Sequence, residues 1–276
     1  MTSTNEIDVP GGRLHYEVRG DGPLLLAMGS PMAADAFAPL ADALASRFTV
    51  VTHDPRGIAQ SPLDDPGQDS TPDLRADDVI AILDTLGAET ADVFGSSGGA
   101  MTTLALAARH PGRIRTIVAH EPPTLNLLPD SAERHAEVDE IVRTFETDGL
   151  EAAWRMFLGT SGYEGDEAGP PPGDSPERDK EDGRRFFVHE LRETTRYSPD
   201  LDALRDGPFR VVVGLGADSG GLLTRRTCSA LAGELGVPVV EFPGDHGGFI
   251  WDPEGFAKLL GDIVMTADTP LPLARV

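Results

Sequence analysis

The chain has 276 residues and a formal net charge of −23, from 23 Lys and Arg against 46 Asp and Glu. Nucleic acid and anionic membranes are bound through clustered positive charge, so this balance argues against either as a partner. The single cysteine, Cys228, excludes an intramolecular disulfide framework and a cysteine-built metal site, while 39% hydrophobic and 25% charged residues suffice for a packed core.

The opening MTSTNEIDVPGG is polar and acidic, without the basic and apolar regions of a secretory signal. No stretch nears the roughly 18 apolar residues of a membrane span. These features lead us to expect a cytoplasmic protein acting on a small molecule, with its oligomeric state open. Short apolar and period-2 runs mark strands at Ile7 to Val9, Leu14 to Val18, Leu24 to Met28 and Phe48 to Thr52, with a helix at Ala34 to Ser46. A helix at Thr71 to Leu86, a strand at Ala91 to Phe94, a helix at Gly99 to His110 and a strand at Arg113 to Ala119 follow. Beyond Pro123 the texture becomes charged and helical, with helices at Ser131 to Thr147, Leu150 to Phe157 and Gly183 to Tyr197. Between them, Glu164 to Gly183 reads as a loop, being rich in proline and acids. Strands return at Phe209 to Gly214 and Val237 to Phe242, separated by a helix near Gly221 to Leu235 and followed by one at Pro253 to Met265. The pattern predicts an α/β fold, a mostly parallel eight-stranded sheet flanked by helices. Its core spans 1–123 and 208–276, and a helical lid over 124–207 is inserted after the sixth strand.

One pentapeptide carries most of the chemical information. Gly95-Ser96-Ser97-Gly98-Gly99 falls between a strand and a helix and fits G-x-S-x-G, in which small neighbours allow a sharp turn that lifts a serine Oγ clear of the sheet. Ser97 is the candidate nucleophile. A Ser and Gly turn without chemistry, or an anion-binding nest, would carry the same letters.

At this point the chain resembles the α/β-hydrolase family. Asp54-Pro55-Arg56-Gly57 with Ser61 is similar to that family's D-x-R-G-x-x-x-S segment. The run from Pro243 to Phe249, with Asp252-Pro253-Glu254 and Phe256 after it, looks like the terminal histidine loop and last helix. The resemblance implies a triad in the order Ser, acid, His. Of seven histidines, His246 alone lies between the last strand and the last helix, which makes it the base. For the acid, two positions stay open. The usual place, after the strand at Phe209 to Gly214, falls on Ser219, so adjacent Asp218 is one candidate. Glu121, after the strand that follows the nucleophile helix, matches an arrangement known in haloalkane dehalogenases and is the other. Asp245 is a remote third. Met28-Gly29-Ser30-Pro31-Met32 resembles the family's H-G-x-P loop with Met28 in place of the histidine. The implied oxyanion hole is the backbone N–H of Ser30 and of Gly98, Pro31 having none to give.

A serine at position 97 disfavours the epoxide and halide chemistry that uses a carboxylate nucleophile. It points to acyl transfer on esters, thioesters, lactones or activated amides, with no cofactor and no metal. Met32, His120, Phe145, Trp154, Phe157 and Phe187 are candidates for the pocket, and the aromatic content of the lid suits a small, largely apolar substrate. Two other readings stay open: a cofactor-free, non-hydrolytic reaction on the same fold (perhydrolysis, lyase or cyclase chemistry), or a binding homologue without turnover.

Overall fold

The computed structural model describes residues 2–162 and 176–266. Its eight strands are β1 (Thr2–Val9), β2 (Gly12–Arg19), β3 (Leu24–Met28), β4 (Thr49–His53), β5 (Ala91–Ser96), β6 (Ile114–His120), β7 (Arg210–Gly216) and β8 (Val239–Phe242). They form one sheet in the order β1-β2-β4-β3-β5-β6-β7-β8. The β1–β2 and β2–β4 pairs are antiparallel and the others parallel. Because β3 is flanked by β4 and β5, the direction of winding reverses there, and the carboxyl ends of β3 and β5 open onto the crevice where α/β sheets hold ligands.

The helices are α1 (Ala38–Leu44), α2 (Pro72–Thr85), α3 (Gly98–Arg109), α4 (Ser131–Asp148), α5 (Leu150–Ser161), α6 (Pro176–Arg185), α7 (Leu191–Arg196), α8 (Leu201–Asp206), α9 (Leu223–Leu235), α10 (Gly248–Trp251) and α11 (Pro253–Met265). Local chemistry starts several of them. Thr71 accepts from the Leu74 amide ahead of Pro72, and Asp252 accepts from the Gly255 amide ahead of Pro253. Each pairs a side-chain cap with a proline whose missing N–H costs nothing in a first turn.

Alternation along the strands feeds two cores. Leu26, Met28, Val93, Ile117 and Ala119 join Val79, Ile82, Met101, Leu104 and Leu231 from α2, α3 and α9 on one face. Leu25, Ala27, Phe94 and Val118 join Leu40, Leu44, Phe256 and Leu260 from α1 and α11 on the other. The helices between β6 and β7 have a core of their own, built from Val138, Ile141, Val142, Ala153, Phe186, Phe187 and Leu191.

Two expectations change. The stretch read as one helix from Gly183 to Tyr197 is α6, a π-helical turn at Phe186–Glu190, and α7. The expected loop ends early, because residues 176–183 already belong to α6; its earlier part, with Pro170, Pro171 and Pro172, lies outside the described residues.

The D-x-R-G segment is scaffold. The Asp54 carboxylate accepts from the Ala34 and Gln60 amides, and Arg56 grips Asp78 through two nitrogens at 2.7 and 2.5 Å. Ser61 Oγ donates to the Asp54 carbonyl and accepts from the His15 amide. These bonds fix the loop after β4 behind the site.

Candidate active site

Ser97 stands between β5 and α3 with φ 57° and ψ −122°, a conformation that L-residues rarely adopt and that occurs where surrounding structure enforces it. The enforcement is steric. A Cβ at Gly95 would lie 2.2 Å from Thr103 Oγ1, one at Gly98 would lie 2.5 Å from the Ser30 carbonyl oxygen, and one at Gly99 would lie 2.5 Å from the Met28 carbonyl oxygen. Gly98 and Gly99 are thus the contact surface between the turn and the loop after β3, while Gly95 lets β5 pack directly against α3. The Ser97 amide donates to the His120 carbonyl at 2.9 Å, which ties the turn to the end of β6.

That close packing makes Ser30 and Gly98, the two residues expected to donate to an oxyanion, direct neighbours. Gly98 is the first residue of α3, where the N–H lacks an intrahelical acceptor and the dipole favours negative charge. Among the described residues, no carbonyl accepts from the Ser30 amide. Met32 is half-buried beside them, its Cβ 2.7 Å from where a Gly29 Cβ would stand.

Of the two open acids, the structure brings Glu121 to the histidine. Glu121 Oε2 lies 2.7 Å from His246 Nδ1 and also accepts from Thr224 Oγ1 at 2.6 Å. Oε1 accepts from the Gly216 amide at 2.9 Å and from Ser219 Oγ at 2.5 Å. Glu121 has φ 51°, so it too sits in an enforced turn, directly after β6. Burial raises the affinity of this carboxyl for a proton, but His246, His120 and the Ser219 hydroxyl outweigh it and hold the pKa near 2. Asp218 does not reach the histidine. It is exposed, and its neighbour Ser219 spends its hydroxyl on Glu121. The side chain expected to mark a departure from the family pattern instead supports the carboxylate that replaces the usual one. Asp245 is also accounted for, since its Oδ1 accepts from the Gly247 amide within the histidine loop.

Among the described residues, the hydrogen bond of the His246 ring is at Nδ1 and none is made by Nε2. Among the described residues Ser97 Oγ has no hydrogen-bond partner. In the absence of substrate, catalytic hydrogen bonds are often long and close only in the complex.

His120 is not a pocket wall. It is fully buried on the sheet face it shares with Val118, among Phe94, Phe242, Phe249 and Phe256, with Ser96 Oγ 3.1 Å from its Nδ1. Burial, with His246 nearby, pushes its pKa down to about 3, so it stays neutral beneath the His246 ring, 6.3 Å away. Phe187 is likewise fully buried, at the centre of a cluster with Phe145, Trp154, Phe157 and Phe186. Phe145 and Trp154 do line a hollow of about 460 Å³, with Leu150, Glu151, Lys180 and Arg184, but Ser97 and His246 are not in its wall. Phe157 is half-buried, edge-on to Trp154. Sequence reasoning passed over Thr224 and Ser219 as supports of the acid, and Glu190, whose Oε2 accepts from Ser30 Oγ at 2.7 Å.

Sheet order, the strained serine after β5 and the histidine loop after β8 together define a class, and comparison with known proteins agrees. Residues 22–182 match the model of the α/β hydrolase fold, more than half of the chain, and the chain belongs to that family. It is similar to the uncharacterized hydrolase YraK of Bacillus subtilis, with 31% identity over 96% of this chain and 97% of that protein. Among solved structures, a thermophilic esterase from Thermogutta terrifontis superposes with a TM-score of 0.74 at 18% identity, covering 97% of this chain and all of the other. The enol-lactonase from Burkholderia xenovorans LB400 superposes at 0.70 with 21% identity, covering 95% of this chain and all of the other. The chain is a hydrolase of this family. Among the described residues, no helix is long and apolar enough to cross a membrane.

Proposed function

We propose that the protein is a serine hydrolase that cleaves small, largely apolar carboxylic esters or related acyl compounds, such as thioesters, lactones and amides, through an acyl-enzyme. The observation that carries the reading is the Glu121–His246 bond of 2.7 Å, made on a histidine loop that follows β8 while Ser97 holds its strained turn after β5. A buried carboxylate at Nδ1 fixes the imidazole tautomer, leaving Nε2 unprotonated and able to take the Ser97 proton. Ser97 Oγ then attacks the acyl carbon, and the negative charge on the carbonyl oxygen is met by the Ser30 and Gly98 amides. His246, now an imidazolium stabilised by Glu121, returns the proton to the departing alcohol, thiol or amine. Water, deprotonated by the same nitrogen, attacks the acyl carbon and releases Ser97.

The helices between β6 and β7 act as the lid in this reading, and their aromatic content favours apolar acyl or alcohol groups. An esterase and an enol-lactonase among the fold neighbours are in keeping with the ester and lactone classes. The test is a panel of p-nitrophenyl esters from acetate to laurate, with a matched thioester and lactone, assayed with wild type and Ser97→Ala. Turnover that favours short or medium chains and vanishes in the variant is expected. Turnover that survives in Ser97→Ala would refute the reading.

A further inference from the structure

Glu190 is a carboxylate buried to 1% exposure at the end of the π-helical turn Phe186–Glu190, far in sequence from the nucleophile. Such turns are rare and often occur at functional sites. Its Oε2 accepts from Ser30 Oγ, across 160 residues of chain, while Oε1 is buried and has no hydrogen-bond partner among the described residues. Arg75 and Arg185 favour its charged form, but neither donates a hydrogen bond to it. Arg75 is equally buried, but its guanidinium is spent on Thr102 Oγ1, the Ser70 carbonyl and hydroxyl, and Thr194 Oγ1. Among the described residues the Ser30 hydroxyl is therefore the one hydrogen bond this carboxyl makes. Leaving a buried carboxyl so poorly satisfied is costly, and the bond falls on the residue whose carbonyl and Cβ pack against Gly98 of the nucleophile turn.

We infer that Glu190 is a positioning residue: through the Ser30 hydroxyl it holds the loop after β3 so that the Ser30 amide points at the developing oxyanion. The inference rests on the serine-hydrolase reading above. The Ser30 carbonyl and Cβ already pack against Gly98, so a second restraint at Oγ fixes the Cα from which the preceding peptide, with the Ser30 N–H, extends. The Phe186 and Phe187 rings anchor the other end of the link, with Trp154 stacked on Phe186 at 5.3 Å. The loop thereby gains from the β6–β7 helices the support that Met28, in place of a histidine, does not give.

The test compares Ser30→Ala, Glu190→Leu, Glu190→Gln and the double variant Ser30→Ala/Glu190→Leu, using p-nitrophenyl butyrate turnover and the rate of phosphonylation by a fluorophosphonate. Complete loss of one oxyanion donor costs ~10²–10³ in kcat, so a misaimed donor should cost roughly 10–100-fold. Ser30→Ala and Glu190→Leu should each lose that much kcat and phosphonylation rate with KM within about threefold. The double variant should be no worse than the poorer single one, because both cut the same link. Glu190→Gln, which keeps a carbonyl oxygen for Ser30, should stay within about threefold of wild type. A kcat for Ser30→Ala within twofold of wild type would overturn the inference, even if Glu190→Leu does not fold. So would additive losses in the double variant, or a loss confined to KM. Absence of Ser97-dependent labelling in wild type would instead bring down the underlying reading.

Discussion

Replacing Glu121 by Gln removes a charge and swaps one oxygen for an NH₂ group, and the surroundings dictate which one. Oε1 accepts from the Gly216 amide, an obligate donor, so the new NH₂ cannot stand there without facing N–H with N–H. It must take the Oε2 position, where Thr224 Oγ1 can turn to accept and where His246 Nδ1 lies 2.7 Å away. Nδ1 then becomes the acceptor, and the ring proton moves to Nε2, the nitrogen that should receive the Ser97 proton. The variant is thus locked in the unproductive tautomer and also lacks the negative charge that steadies the imidazolium. In a serine protease triad the analogous change lowers kcat about 10⁴-fold. The same order here, ~10³–10⁴, corresponds to about 4–5 kcal/mol of barrier. Steady-state hydrolysis of p-nitrophenyl butyrate by Glu121→Gln, with thermal unfolding to confirm a folded protein, measures it. Asp218→Asn in parallel should stay near wild type, because that side chain is exposed. A folded Glu121→Gln retaining more than a tenth of wild-type kcat would refute the tautomer argument.

Gly98→Ala should depress kcat by ~10² or more, as its Cβ would fall 2.5 Å from the Ser30 carbonyl oxygen and push the two amides apart; unchanged ester kinetics would contradict this contact. Burial raises the Asp182 carboxyl to about 6, with Asp54 and Glu190 adding to the effect against the Ala59 amide it accepts from. Being raised above its unfolded value near 3.8, the group contributes stability below pH 4 that is lost as pH rises through 6. Asp182→Asn, which keeps an acceptor for Ala59, should therefore unfold at a higher temperature than wild type at pH 7.5, and lose that advantage below pH 4. His120, held neutral with a pKa near 3 against 6.5 when free, works in the opposite sense. Its contribution is present above pH 6.5 and falls on acidification, so urea unfolding of wild type relative to His120→Gln should show a difference that shrinks by about 1.4 kcal/mol per pH unit from 6.5 downward. A pH-independent difference would mean that the ring is not held neutral.

The parts legible in the sequence are those where local chemistry and burial agree. β3 has the predicted limits, Leu24 to Met28, because it is buried on both faces and reads as an unbroken apolar run. β1 extends back to Thr2, since the polar, exposed TSTNE pairs with β2 at the sheet edge through backbone bonds that need no apolar signal. The π-helical turn at Phe186–Glu190 escaped notice because a single inserted residue barely disturbs helical periodicity, and Pro176 at the start of α6 reads equally as a loop residue or as a first-turn proline. At the site, Ser97 and His246 could be singled out by spacing and order. The choice between Glu121 and Asp218 could not, because it turns on whether Ser219, Thr224 and the Gly216 amide converge on one carboxylate, a fact of tertiary structure. Glu190 gave no signal at all, its partner being 160 residues away.

The central claim is that Ser97 is a nucleophile activated by His246, and mass spectrometry of the protein after reaction with a fluorophosphonate addresses it most directly. One phosphonyl adduct is expected on the peptide containing Ser97, with labelling strongly slowed in a folded His246→Ala variant. An adduct on another residue, or labelling as fast without the imidazole as with it, would contradict the account.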